Sequence, residues 1–101
     1  MLINVNTIEA VRKAIALNEL VVVDVYATWC PPCKALAPIL EQVADLCYIV
    51  KVNNDEVPDA AVEFNVGGLP TLLFFKNGQL LDRVLGLISR EALEAKINQL
   101  K

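Results

Sequence analysis

Hydrophobic and polar positions change their period repeatedly along the chain, and each change marks an element. Leu2 to Val5 alternates apolar and polar, the period of a strand, and reads as a short edge strand. From Ile8 the apolar residues recur at helical spacing, Ile8, Val11, Ile15 and Leu17, with Glu9, Arg12 and Lys13 on the other side. This predicts a helix to about Leu17, opened by Asn6 and Glu9 as a capping box. Leu20 to Ala27 is a β-branched run apolar on both faces, as in a central strand covered by helices on each side, and only Asp24 breaks it. From Pro31 to about Cys47 the helical period returns, with Leu36, Leu40, Val43 and Cys47 as its stripe and Pro38 expected to kink it.

Tyr48 to Val52 is a second apolar strand, reached from the first through a helix, so the two should be parallel. A mixed loop with a short helix follows over Asn54 to Asn65, then the breaker cluster Gly67-Gly68-Leu69-Pro70 and a strand from Thr71 to Lys76. Asn77-Gly78 is a hairpin signal, which makes Gln79 to Leu85 antiparallel to that strand. Ser89 caps a last amphipathic helix running through Ile97 and Leu100. The order of elements predicts an α/β fold, and no repeat or linker divides it.

A chain of 101 residues is expected to form one domain spanning 1–101. That length buries roughly 65% of the unfolded surface and needs no disulfide framework. Its three cysteines are too few for one. The net charge of −3, with no cluster of Lys and Arg, argues against nucleic acid as a partner. No apolar run approaches the roughly 18 residues of a membrane span, and Met1-Leu2-Ile3-Asn4-Val5 lacks a basic leader pattern, so a cytoplasmic, membrane-free protein is expected.

Within this frame one stretch carries chemistry: Trp29-Cys30-Pro31-Pro32-Cys33-Lys34, where a strand ends and a helix begins. Two thiols so spaced can close a disulfide with little backbone movement, and the unpaired N–H groups and dipole of a helix start favour a thiolate at Cys30. Prolines suit that first turn, where backbone donors have no intrahelical partner. A zinc site would need further ligands, but there is no second Cys-x-x-Cys and no histidine. Cys30, exposed at the helix start, is therefore the expected attacking thiolate, and Cys33 resolves the mixed disulfide; the order follows from access. Pro31 removes a backbone N–H, which is expected to cost the thiolate a donor and make the pair more reducing. Asp24, a carboxylate in an apolar strand, should have a raised pKa and suits a proton acceptor for Cys33. Lys51 either packs its stem while its ammonium reaches water or pairs with Asp24. Cys47 reads as core filler. No bound cofactor is needed.

With these residues in view the chain resembles the thioredoxin family over nearly its whole length. The resemblance rests on Val23-Asp24, Trp29-Cys30-x-Pro32-Cys33-Lys34, Ala37-Pro38, Lys51 with Asn53 and Asp55, Gly68-Leu69-Pro70-Thr71 and Phe75-Lys76-Asn77-Gly78. It implies a mixed five-stranded sheet with helices on both faces and the dithiol at the C-terminal end of a central strand. It implies the proton-accepting role for Asp24 with Lys51 nearby, and a cis bond between Leu69 and Pro70 facing the dithiol. It further implies an apolar collar around Cys30 of Trp29, Pro31, Pro32, Gly68, Leu69, Pro70, Leu85, Gly86 and Leu87. The implied activity is reduction of disulfides in protein substrates by a monomer, with electrons from a thioredoxin reductase. Three positions depart from the pattern: Pro31 where glycine is common, Leu69 where Ile or Val is usual, and Tyr26 where many members have Trp. The alternatives are a disulfide oxidant or isomerase, a binding module whose redox chemistry is incidental, and a dithiol that ligates a metal or iron–sulfur cluster between two chains.

Overall fold

The computed structural model describes residues 1–101. Five strands form one mixed sheet: β1 (Leu2–Val5), β2 (Leu20–Tyr26), β3 (Tyr48–Asn53), β4 (Thr71–Lys76) and β5 (Gln79–Leu85), in the order β1-β3-β2-β4-β5. β1 and β2 run parallel to β3, whereas β4 is antiparallel to both β2 and β5. Four helices complete the fold: α1 (Ile8–Leu17), α2 (Pro31–Gln42), α3 (Asp59–Glu63) and α4 (Arg90–Leu100). Asn77 and Gly78 both take positive φ, 51° and 82°, as a two-residue hairpin loop requires.

β2 is buried along Val21–Val25 because side chains alternate across a strand and helices cover both faces. Val21, Val23 and Val25 join Ile8, Val11 and Ile15 of α1 and Ala60 of α3 in one core. Val22, with Leu72 and Phe74 of β4, joins Leu36 and Leu40 of α2 and Leu93 and Ile97 of α4 in another. Each such side chain, removed from water, contributes roughly 1.5–3 kcal/mol. The helix that starts at the dithiol is thus fastened to the sheet by a core of its own.

Three local expectations are corrected. The cap of α1 is Thr7, not Asn6: Thr7 is extended (φ −140°, ψ 152°) and its hydroxyl accepts from the Ala10 N–H at 3.1 Å. Leu17 does not continue the buried stripe; at the last position of α1 it is 70% exposed. α2 ends at Gln42 rather than near Cys47, because Val43 closes it with a tightened turn to Leu40 O at 3.2 Å, which leaves Cys47 half-buried just before β3. Pro38 lies inside α2, which runs unbroken through it from Pro31 to Gln42.

Candidate active site at the start of α2

β2 delivers the chain to Ala27, and three residues later Cys30 caps α2 with an extended backbone (φ −88°, ψ 113°). Its sulfur takes the place that a serine or threonine oxygen fills in other caps, accepting the Cys33 N–H at 3.3 Å. Pro31 and Pro32 occupy the first two helical positions, so neither costs the helix a bond. Cys30 and Cys33 are joined as a disulfide with Cα atoms 5.2 Å apart.

The expectation that access orders the two thiols is not met. Cys30 is 4% exposed and Cys33 5%, since both pack with Ala27 under Tyr26 and Leu69. What distinguishes them is surroundings. Cys30 Sγ receives the helix-start N–H and faces Leu69 O at 3.7 Å, whereas Cys33 lies inside the first turn. Pro31 is not the lost donor either: the N–H that reaches the cap sulfur belongs to Cys33, at the third helical position, and proline at the first leaves it in place.

Around this point the Leu69–Pro70 bond is cis. Pro70 is buried, its carbonyl accepts from Gly86 N–H at 2.8 Å, and Thr71 Oγ donates to Gly68 O at 2.6 Å. These bonds bring the 68–71 and 85–86 segments together. A side chain at Gly68 would meet Leu85 Cδ1 at 2.9 Å. Trp29, Pro31, Pro32, Leu85 and Leu87 are all exposed, an apolar surface beside a buried dithiol. The Trp29 indole N–H donates to Asp55 Oδ2 at 2.9 Å, and Asp55 N–H in turn donates to Asn53 Oδ1. That brace for the indole was not anticipated from sequence, although Asn53 and Asp55 stand among the residues of the resemblance.

Asp24 is 1% exposed, its Oδ1 has no hydrogen-bond partner, and it takes part in none of the ion pairs of the molecule. Burial pushes its pKa up to about 7, and the charge of Lys51 pulls it partly back. Lys51 faces Asp24 across the β2–β3 register without pairing to it directly; its ammonium lies over the Tyr26 ring, 4.7 Å from the centroid. Cys47 is far from this chemistry in character: burial pushes its thiol up to about 11.

A family model described as Thioredoxin matches residues 3–99. The chain belongs to the thioredoxin family. It is 43% identical over 83 residues to a thioredoxin of Chlamydia caviae, covering 79% of this chain and 81% of that protein. It is 42% identical over 86 residues to Thioredoxin-2 of Pyricularia oryzae, covering 82% of this chain but spanning only 50% of that longer protein. Among solved structures, a mutant thioredoxin from Halobacterium salinarum superposes with a TM-score of 0.93 at 31% identity, covering 98% of this chain and 89% of that one. The chemistry of the Cys30–Cys33 pair is accordingly dithiol–disulfide exchange, the activity of a protein-disulfide reductase.

Proposed function

We propose that the chain acts as a single thioredoxin domain in which Cys30 is the nucleophile, Cys33 the resolving thiol and Asp24 the proton acceptor. The observation that carries this reading is the cap: a sulfur that accepts a helix-start N–H is stabilised as an anion, and only Cys30 has that position. In the reduced form the Cys30 thiolate attacks one sulfur of a substrate disulfide, a new bond joins Cys30 to the substrate, and the other substrate sulfur leaves as a thiolate. Cys33 then gives its proton to the Asp24 carboxylate, and its thiolate attacks Cys30 Sγ. The second substrate thiolate departs, and the Cys30–Cys33 disulfide holds the oxidising equivalents. A carboxyl brought to about 7 is half ionised at neutral pH, so it can take that proton and release it later.

The substrates are disulfide-containing proteins, met by the apolar surface of Trp29, Pro31, Pro32, Gly68, Leu69, Pro70, Leu85, Gly86 and Leu87. An apolar rim with no fixed charge pattern favours many partners over one. A thioredoxin reductase returns the pair to the dithiol, the protein works as a monomer, and the cytoplasm, where thiols stay reduced, is its compartment. No helix is long and apolar enough to cross a membrane.

The test is a trap. Cys33→Ser should accumulate mixed disulfides to substrate proteins through Cys30, resolved by mass spectrometry of the linked peptides, because attack proceeds and resolution cannot. Equal trapping through Cys33 in a Cys30→Ser variant would reverse the roles.

A further inference from the structure

Tyr26 ends β2 where the strand meets the buried carboxyl, the dithiol cluster and the Lys51 ammonium. It shares a face of β2 with Asp24, two residues back, because side chains alternate along a strand. It packs against the Ala27–Cys30–Cys33 cluster from one side. Its ring carries the Lys51 ammonium, 4.7 Å from the centroid, and Lys51 is the register partner of Asp24. Lys51 has no carboxylate partner, so it is the contact with the ring that fixes where this charge sits. A cation over an aromatic face is held by the negative charge of the ring quadrupole, and the hold strengthens where water is partly excluded.

We propose that Tyr26 is a positioning residue for the exchange reaction: its ring seats the Lys51 ammonium beside Asp24, and so sets how readily Asp24 exchanges a proton with Cys33. This deepens the proton-acceptor reading of Asp24 and rests on it. The groups that face the site are Asp24 on β2, Lys51 on β3, the two cysteines at the start of α2 and, in the loop after β3, Glu56, whose charge reaches Tyr26. Without the ring, Lys51 can swing toward water on its four-carbon stem, and Asp24 loses the one positive charge that opposes its burial.

Tyr26 is also the next residue to Asp24 on the same face of β2, so loss of its ring could act in two ways of opposite sign. Losing a seat for Lys51 raises the Asp24 midpoint, while losing a shield lowers it. Carbon-detected NMR titration of the Asp24 carboxyl in the oxidised protein reads that midpoint without reference to turnover. Tyr26→Leu should raise it by roughly 0.5 of a pH unit, and Tyr26→Phe, which keeps the ring, should restore the original value. In a Lys51→Met background, where the midpoint is already raised, Tyr26→Leu should add nothing. A midpoint that falls or stays put in Tyr26→Leu, or that shifts equally with and without Lys51, overturns the proposal. Should Tyr26→Leu not fold, fluorinated phenylalanines at position 26 make the same test at nearly constant shape. Each added fluorine weakens the ring's negative face, so the midpoint should climb along the series, and a flat series overturns the proposal as well. The pH profile of disulfide reduction separates this from the reading beneath it. If the NMR midpoint moves as stated and the profile does not follow, Tyr26 positions Lys51 but Asp24 is not the proton acceptor.

Discussion

Asp24 is the residue whose chemistry and stability pull in opposite directions. Its folded pKa of about 7 lies above the ordinary 3.8, so the folded state holds the proton more tightly than the unfolded chain does. The cost of keeping it charged is therefore absent below about pH 3.8, grows as pH rises to about 7, and is complete above that. Asp24→Asn should stabilise the protein at pH 8 by on the order of 3 kcal/mol and by little at pH 4, read from urea unfolding at the two pH values. The same substitution should slow disulfide reduction at neutral pH, since Cys33 loses its acceptor. Equal stability gains at both pH values would mean that the carboxyl titrates alike in the folded and unfolded chain, so that burial does not raise its pKa. The need for a compensating reason at position 24 was legible in the sequence, because a carboxylate amid β-branched residues is costly to bury. The absence of a direct partner was not, because the ammonium at the end of the flexible Lys51 side chain lies over the Tyr26 ring, a placement that spacing does not encode.

At the scale of elements, the pattern of the chain foretold every strand and helix, the parallel and antiparallel pairings and the hairpin, and it erred where one turn competes with the next. Asn6 and Thr7 are both good caps, and a sequence cannot show which one becomes extended. Thr7→Ala should cost about 1 kcal/mol in thermal or chemical unfolding, and Asn6→Ala much less; the reverse ranking would return the cap to Asn6. The end of α2 was misjudged because Cys47 continues the apolar spacing of Leu36, Leu40 and Val43 after the helical hydrogen bonds have stopped. At the start of α2 the missing N–H of Pro31 is not the one that reaches sulfur. Pro31→Gly should therefore leave the Cys30 thiol titration nearly unchanged, while unfolding becomes easier by roughly 0.5–1 kcal/mol as the unfolded chain gains freedom. A clear rise in thiolate fraction at neutral pH would restore the lost-donor account.

For the molecule as a whole, β2, β3 and β4 lie between the two cores while β1 and β5 form the edges, and this fixes where the fold opens last. Native-state hydrogen exchange should show the amides of Val22, Val50 and Phe74 exchanging only through global unfolding, and those of β1 and β5 through smaller openings. Uniform protection across all five strands would contradict that division. The approach of the 68–70 and 85–86 segments was legible only through the resemblance, because it is made by the cis Leu69–Pro70 bond and the Pro70–Gly86 hydrogen bond, which no local period encodes. The dithiol itself depends on none of this for its spacing. An α-helix start holds residues three apart at about the separation found here, 5.2 Å between Cα atoms, and that distance suits a closed disulfide as well as two free thiols. The electron pair can then be loaded and unloaded by turning two side chains while the backbone stays still. Dithiol–disulfide exchange at such a pair therefore asks for little reorganisation of the chain that carries it.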